Sequence, residues 1–122
     1  MSMLRPLDPA FPIERQIAVD ASPVVLVNLF TLDKADEQTF LKAWRDDALY
    51  MKQQLGLVSP QLHRAVGENP TYLNYAVWET TGDFGAAFTN PAFRAKFSVY
   101  PSSAVASPHL FQKVGVPGVC VA

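Results

Sequence analysis

The residues of this sequence best suited to chemistry are polar side chains set into apolar runs. Asn74 and Trp78 lie four apart in YLNYAVWE (72–79). If that segment is a strand, both side chains leave the same face. Asn28 interrupts a second apolar run, VVLVNLFTL (24–32), in the same manner. A buried amide is costly unless it is hydrogen-bonded. Each asparagine therefore either satisfies neighbouring backbone or faces a ligand, and residue types alone leave both readings open. An asparagine offers two donors and an acceptor, and a tryptophan a flat apolar wall with one N–H. Together they could hold a planar oxygenated molecule and stabilise negative charge on its oxygen. His63 is the candidate proton carrier, histidine being the side chain that ordinarily changes charge near neutral pH. A surface or interface histidine would look the same in sequence.

Further chemistry is poorly represented. His109 reads as a boundary residue at the start of the last strand. The two histidines have no close ligand spacing with carboxylates, so no metal site is expected. Asp46 and Asp47 are adjacent on a predicted helix, where neighbours diverge by about 100°, and read as a solvated face. Ser102, Ser103 and Ser107 lack a nucleophile-elbow glycine pattern, and no glycine-rich phosphate loop is present.

The elements that must position these residues follow from the apolar pattern. Residues 24–32 read as a strand buried on both faces. Phe40, Leu41, Trp44, Ala48, Met51 and Leu55 fall on one stripe of a 3.6-residue repeat, predicting an amphipathic helix over about 36–55 that stops at Gly56. Residues 58–66, the turn GENP (67–70) and residues 72–79 predict a β-hairpin. Thr80 or Thr81 caps a second helix carrying Phe84, Ala87 and Phe88. Asn90-Pro91 interrupts and restarts it through Phe93 and Phe97. Residues 101–108 read as loop and 109–116 as a last strand. The proline-rich residues 1–23 read as an extended arm and 117–122 as a tail, leaving 24–116 as the folded domain. The order β-α-β-β-α-β is the ferredoxin-like α+β plan with a four-stranded antiparallel sheet.

Composition sets the wider limits. The 122 residues suit one domain. They are 49% apolar and 17% charged, below the usual ~25% charged, which excludes disorder as the main state. Two helices cover one face of such a sheet, yet both faces of the first and third strands are apolar. Two copies packed sheet against sheet are therefore expected. A net charge of −1 without a basic run argues against nucleic acid or an anionic membrane as partner. The single cysteine, Cys120, excludes an internal disulfide and suits a reducing compartment. With no signal-like start and no long apolar run, a cytoplasmic protein is expected.

The stretches VNLFTL (27–32), FLKAW (40–44), NYAVWET (74–80) and NPAF (90–93) together resemble the antibiotic biosynthesis monooxygenase domain over about residues 24–115. The resemblance implies a dimeric α+β barrel with a pocket in each subunit between sheet and helices. It also implies a monooxygenase that needs no metal or flavin and acts, with dioxygen, on an aromatic, phenolic or quinol-type small molecule. Asn74 and Trp78 match the asparagine and tryptophan of the cofactor-free members. Asn28 matches an asparagine of the haem-degrading branch. Catalytic roles are thus expected for Asn74, Trp78, Asn28 and His63, and substrate contacts for Trp44, Tyr72, Phe84, Phe88 and Phe97. The sequence departs from the pattern where Phe84 replaces a tyrosine of the oxygenases. Phe97 occupies the position of a haem-ligating histidine, which disfavours a haem-degrading activity. The same residues also suit a non-catalytic binding protein for a hydrophobic small molecule, or a pure assembly module.

Overall fold

The computed structural model describes residues 3–122. Among them, four strands and two principal helices follow the predicted order. The strands are β1 (Val24–Thr31), β2 (Leu57–Arg64), β3 (Thr71–Trp78) and β4 (Val105–Phe111). They form one antiparallel sheet in the order β2-β3-β1-β4. A short helix α1 (Ile13–Ile17) precedes β1, α2 (Glu37–Met51) follows it after a 3-10 turn, and α3 (Thr81–Phe88) follows β3. Helix α4 (Pro91–Arg94) runs on as 3-10 turns through Val99.

Local chemistry sets most boundaries. Of the two candidate caps, Thr80 holds the start of α3, accepting from the Asp83 N–H at 2.9 Å. Asn90 does the same for α4 through the Ala92 N–H, with Pro91 at the first helical position. Gly56 has φ of +94°, the left-handed turn that ends the α2 segment and admits β2.

Three expectations are corrected. The N-terminal arm is not extended throughout. Its first two residues lie outside the described ones, but Ile13–Ile17 is helical, with Ile13 and Gln16 buried. Gln16 accepts from the Leu110 N–H at 2.7 Å, and Gly85 leaves room for Ile17, so α1 seats against β4 and α3. The 36–55 helix ends at Met51, and Leu55 is exposed. The last strand spans 105–111 rather than 109–116, so the supposed 101–108 loop contains half of it and His109 lies inside the strand. Pro108 makes that half read as loop. β4 is an edge strand, where a residue without an N–H is tolerated.

The sheet's inner face, toward the helices, carries two apolar clusters. Val24, Leu26, Ala76, Trp78, Phe84, Phe88 and Phe93 belong to one. Phe30, Phe40, Tyr72, Tyr100 and Ala106 belong to the other. The outer face presents Val25, Val27, Leu29, Leu73 and Val77, all part-exposed.

Candidate active site

Strand register explains where the site lies. On β1 the inner face reads Leu26, Asn28, Phe30; on β3 it reads Ala76, Asn74, Tyr72. Leu26 pairs with Ala76 in the first cluster and Phe30 with Tyr72 in the second. Between them Asn28 pairs directly with Asn74. The two asparagines thus form a polar row across the sheet at the seam between two hydrophobic clusters.

A hollow of about 60 Å³ opens over this row. Its floor is Leu26, Asn28, Phe30, Asn74, Ala76 and Trp78, flanked by Pro60 and Pro108 from the edge strands. Trp44, Asp47, Ala48 and Met51 of α2, Leu57 of β2, Phe84 and Phe88 of α3, Phe93 and Tyr100 complete the walls. The aromatic walls brace one another. Trp78 meets Phe84 edge-on at 5.5 Å, and Phe84 and Phe88 stack at 5.3 Å. Trp44, Ala48 and Pro60 also line an outer groove with Arg45 and Lys52, so they divide the hollow from solvent.

Of the residues expected from sequence, the hollow gathers Asn28, Asn74, Trp78, Trp44, Phe84 and Phe88. Three expected residues stand elsewhere. His63 pairs with Leu73, one position off the Asn74 row, so it projects from the outer face and is exposed. Tyr72 gives its hydroxyl to Glu37 at 2.6 Å. Phe97 packs behind Phe93 at 5.0 Å without lining the hollow.

Asp47 corrects the expectation of a solvated acidic face. It is 7% exposed, and it lines the hollow. Tyr100 donates its hydroxyl to Asp47 Oδ2. Burial pushes the Asp47 carboxyl up to about 6, against the opposing pulls of Tyr100 and Lys96. The signal is present in the sequence, since Asp47 lies three residues after Trp44 and four before Met51, on the apolar stripe of α2. Two adjacent charges mask it.

Among the described residues, four buried side-chain oxygens have no hydrogen-bond partner: Asn28 Oδ1, Asn74 Oδ1, Asp47 Oδ1 and the Tyr50 hydroxyl. The first three belong to residues of this one hollow. A buried acceptor left unpaired costs about 1–3 kcal/mol, so these three acceptors can be satisfied together by O–H donors placed in the hollow. No group of three or more metal-ligating side chains occurs among the described residues, and no helix among them is long and apolar enough to cross a membrane.

Comparison with known proteins agrees with this architecture. The antibiotic biosynthesis monooxygenase family model matches residues 23–97. SnoaB, a cofactor-independent oxygenase from Streptomyces nogalater, aligns with a TM-score of 0.71 at 24% identity, over 80% of this chain and 99% of its own. A candidate monooxygenase from Shewanella loihica PV-4 aligns with a TM-score of 0.67 at 25% identity, over 78% of this chain and 97% of its own. A candidate antibiotic biosynthesis monooxygenase from Caulobacter crescentus CB15 gives 0.65 at 17% identity, over 77% of this chain and 92% of its own. No curated protein sequence matches the chain.

Proposed function

The chain belongs to the antibiotic biosynthesis monooxygenase family, and from that premise we propose that it oxygenates a phenolic or quinol-type aromatic molecule with dioxygen and no bound cofactor. The observation that carries this reading is the row of unpartnered amide oxygens, Asn28 and Asn74, under an aromatic-walled hollow.

Dioxygen reacts slowly with closed-shell organic molecules, but a phenolate or enolate is electron-rich enough to give it an electron. The protein's work is then to remove a proton, hold the resulting anion and exclude water. Each asparagine can accept from the substrate hydroxyl through Oδ1 and donate to its anion through Nδ2. Trp78, Phe84, Phe88 and Trp44 supply the walls for the ring. The overall change balances as a phenol with one ring hydrogen plus dioxygen giving a quinone plus water. A cavity of about 150 Å³ takes one benzene ring, so the hollow's 60 Å³ must widen for a ring to enter. The proposal includes a homodimer joined through the apolar outer sheet face and a cytoplasmic setting.

Oxygen uptake with a panel of quinols, anthrone and simple phenols tests the reading. Wild-type turnover, unaffected by a chelator, is the expected result. Asn74→Ala is expected to lower turnover by about 10²–10³-fold, the usual effect of losing one preorganised donor, with little change in Tm. Unchanged turnover removes Asn74 from the machinery. The second reading, a binding protein for a hydrophobic small molecule, is favoured by Phe84, an apolar ring where the resemblance to the cofactor-free oxygenases implies a tyrosine. It predicts saturable binding of the same compounds with no oxygen consumed.

A further inference from the structure

We propose that Asp47 is the proton acceptor of this site, taking the substrate's hydroxyl proton onto Oδ1 while Tyr100 fixes the carboxylate through Oδ2. The inference rests on the oxygenase reading and supplies the base that His63, on the opposite sheet face, cannot be.

Three observations converge on it. Among the described residues, Asp47 is the one carboxylate lining the hollow, and it does so from α2, across from the asparagine row on the sheet. A hydroxyl held by Asn28 and Asn74 would therefore lie between the amides that receive its negative charge and a group able to take its proton. Second, the carboxylate is half engaged, with Tyr100 on Oδ2 and Oδ1 free of any partner among the described residues. A carboxylate buried only for structure would be expected to have both oxygens bonded. Third, Tyr100 is itself fixed, stacked on Phe30 at 6.3 Å and tilted against Phe40 at 5.8 Å. Its own ionisation is pushed well up by burial and by the facing carboxylate, so it stays a donor.

The charged groups facing Asp47 are few. They are Lys96 on the 3-10 turn and Asp46 beside it on α2, with the uncharged Tyr100 hydroxyl as the hydrogen-bond partner. The sheet contributes only the uncharged amides. The acid is thus poised near neutrality by burial, where a general base works well.

The step balances. The substrate O–H bond breaks and an O–H bond forms on Asp47, the electron pair staying on the substrate oxygen. The phenolate then reduces dioxygen and forms a C–O bond. Asp47 returns its proton to the resulting peroxide, and loss of water with the ring hydrogen gives the quinone.

The test is the pH profile of kcat/KM for anthrone and the quinol panel between about pH 4.5 and 8, with the uncatalysed rate subtracted. Wild type is expected to rise through about pH 6 and then level. Asp47→Asn is expected to lose about 10²-fold or more and to lose the acid limb. Tyr100→Phe removes a hydrogen bond that holds the Asp47 carboxyl down, so its limb moves to higher pH while most of the plateau rate survives. A role confined to packing would not move the limb. Asp47→Asn with wild-type rate and limb overturns the proposal and leaves the oxygenase reading intact. If that variant does not fold, an unmoved limb in Tyr100→Phe overturns it instead. A wild type inactive on every compound overturns the oxygenase reading, and the base with it.

Discussion

Helix α2 carries two carboxylates that each accept a tyrosine hydroxyl, and the two pairs have opposite characters. Glu37 meets Tyr72 at 2.6 Å and also takes Arg64 Nε at 2.9 Å and Nη2 at 3.0 Å, so both its oxygens are engaged. Arg64 and Tyr72 hold its carboxyl below the usual carboxylate range. Asp47 has Tyr100 but no guanidinium, keeps one oxygen unpartnered, and is pushed up to about 6 by burial. Both tyrosines pack on the same ring, Phe40, at 4.9 and 5.8 Å. With the partner type and the wall held in common, what separates the pairs is a directly bonded guanidinium, which Asp47 lacks with only Lys96 nearby, and access to water. A satisfied acid ties α2 to the hairpin. A desolvated, half-satisfied one is held at a cost to stability, and such cost concentrates at functional sites.

Removing the shared wall disturbs both pairs at once and is expected to cost the most. Phe40 is fully buried, and Phe40→Ala is expected to cost about 3–5 kcal/mol in a urea unfolding experiment. It also loosens Tyr100 and admits water beside Asp47, moving that carboxyl back toward the ordinary range. Aspartate-labelled carbon NMR would follow it. A cost below about 1 kcal/mol would show that the second cluster repacks freely and that Phe40 does not set either pair.

Next in size is Asp47→Asn, which tests whether Asp47 is held against stability. A carboxyl whose folded value is raised favours the folded state only while protonated. Its contribution is fully present below about 4 and lost as pH rises through about 6. At pH 8 the wild type therefore carries a penalty of up to about 3 kcal/mol that the amide does not. Asp47→Asn is expected to be the more stable protein there, with the gap closing toward pH 4. Losing activity while gaining stability would mark a working group. A variant less stable at pH 8 would make Asp47 a structural acid like Glu37.

Much of this geometry is legible in the sequence. Alternation places Asn74 and Trp78 on one face, and the helical stripe places Trp44 on the wall opposite. The pairing of Asn28 with Asn74 is not legible, because register across β1 and β3 depends on how separate segments align and neither run states it alone. His63 is misplaced for the same reason: one residue of register separates the hollow from the opposite face. Asp47 is hidden when charge is weighed before position, although its spacing from Trp44 and Met51 places it on the apolar stripe. Tyr100 leaves no signal at all, since its contact with Asp47 joins residues 53 apart through a turn with no periodic pattern.

The smallest effect comes from the satisfied pair, and its sign separates the two acids most cleanly. Tyr72→Phe removes one of three bonds to Glu37 and leaves the Arg64 fork in place. Glu37 has a depressed value, so its contribution is present above the unfolded value and lost as pH falls through the folded one. The variant should therefore lower Tm by a few degrees at most at neutral pH and match wild type in strong acid, the opposite pH trend to Asp47→Asn. Added salt should weaken the surviving Glu37–Arg64 contact, because Arg64 is exposed, whereas the buried Asp47 should respond little. Oxygen uptake should be unchanged, since neither Glu37 nor Tyr72 lines the hollow. A Tyr72→Phe variant that lost turnover without losing Tm would draw the second pair into the chemistry and erase the division between the two.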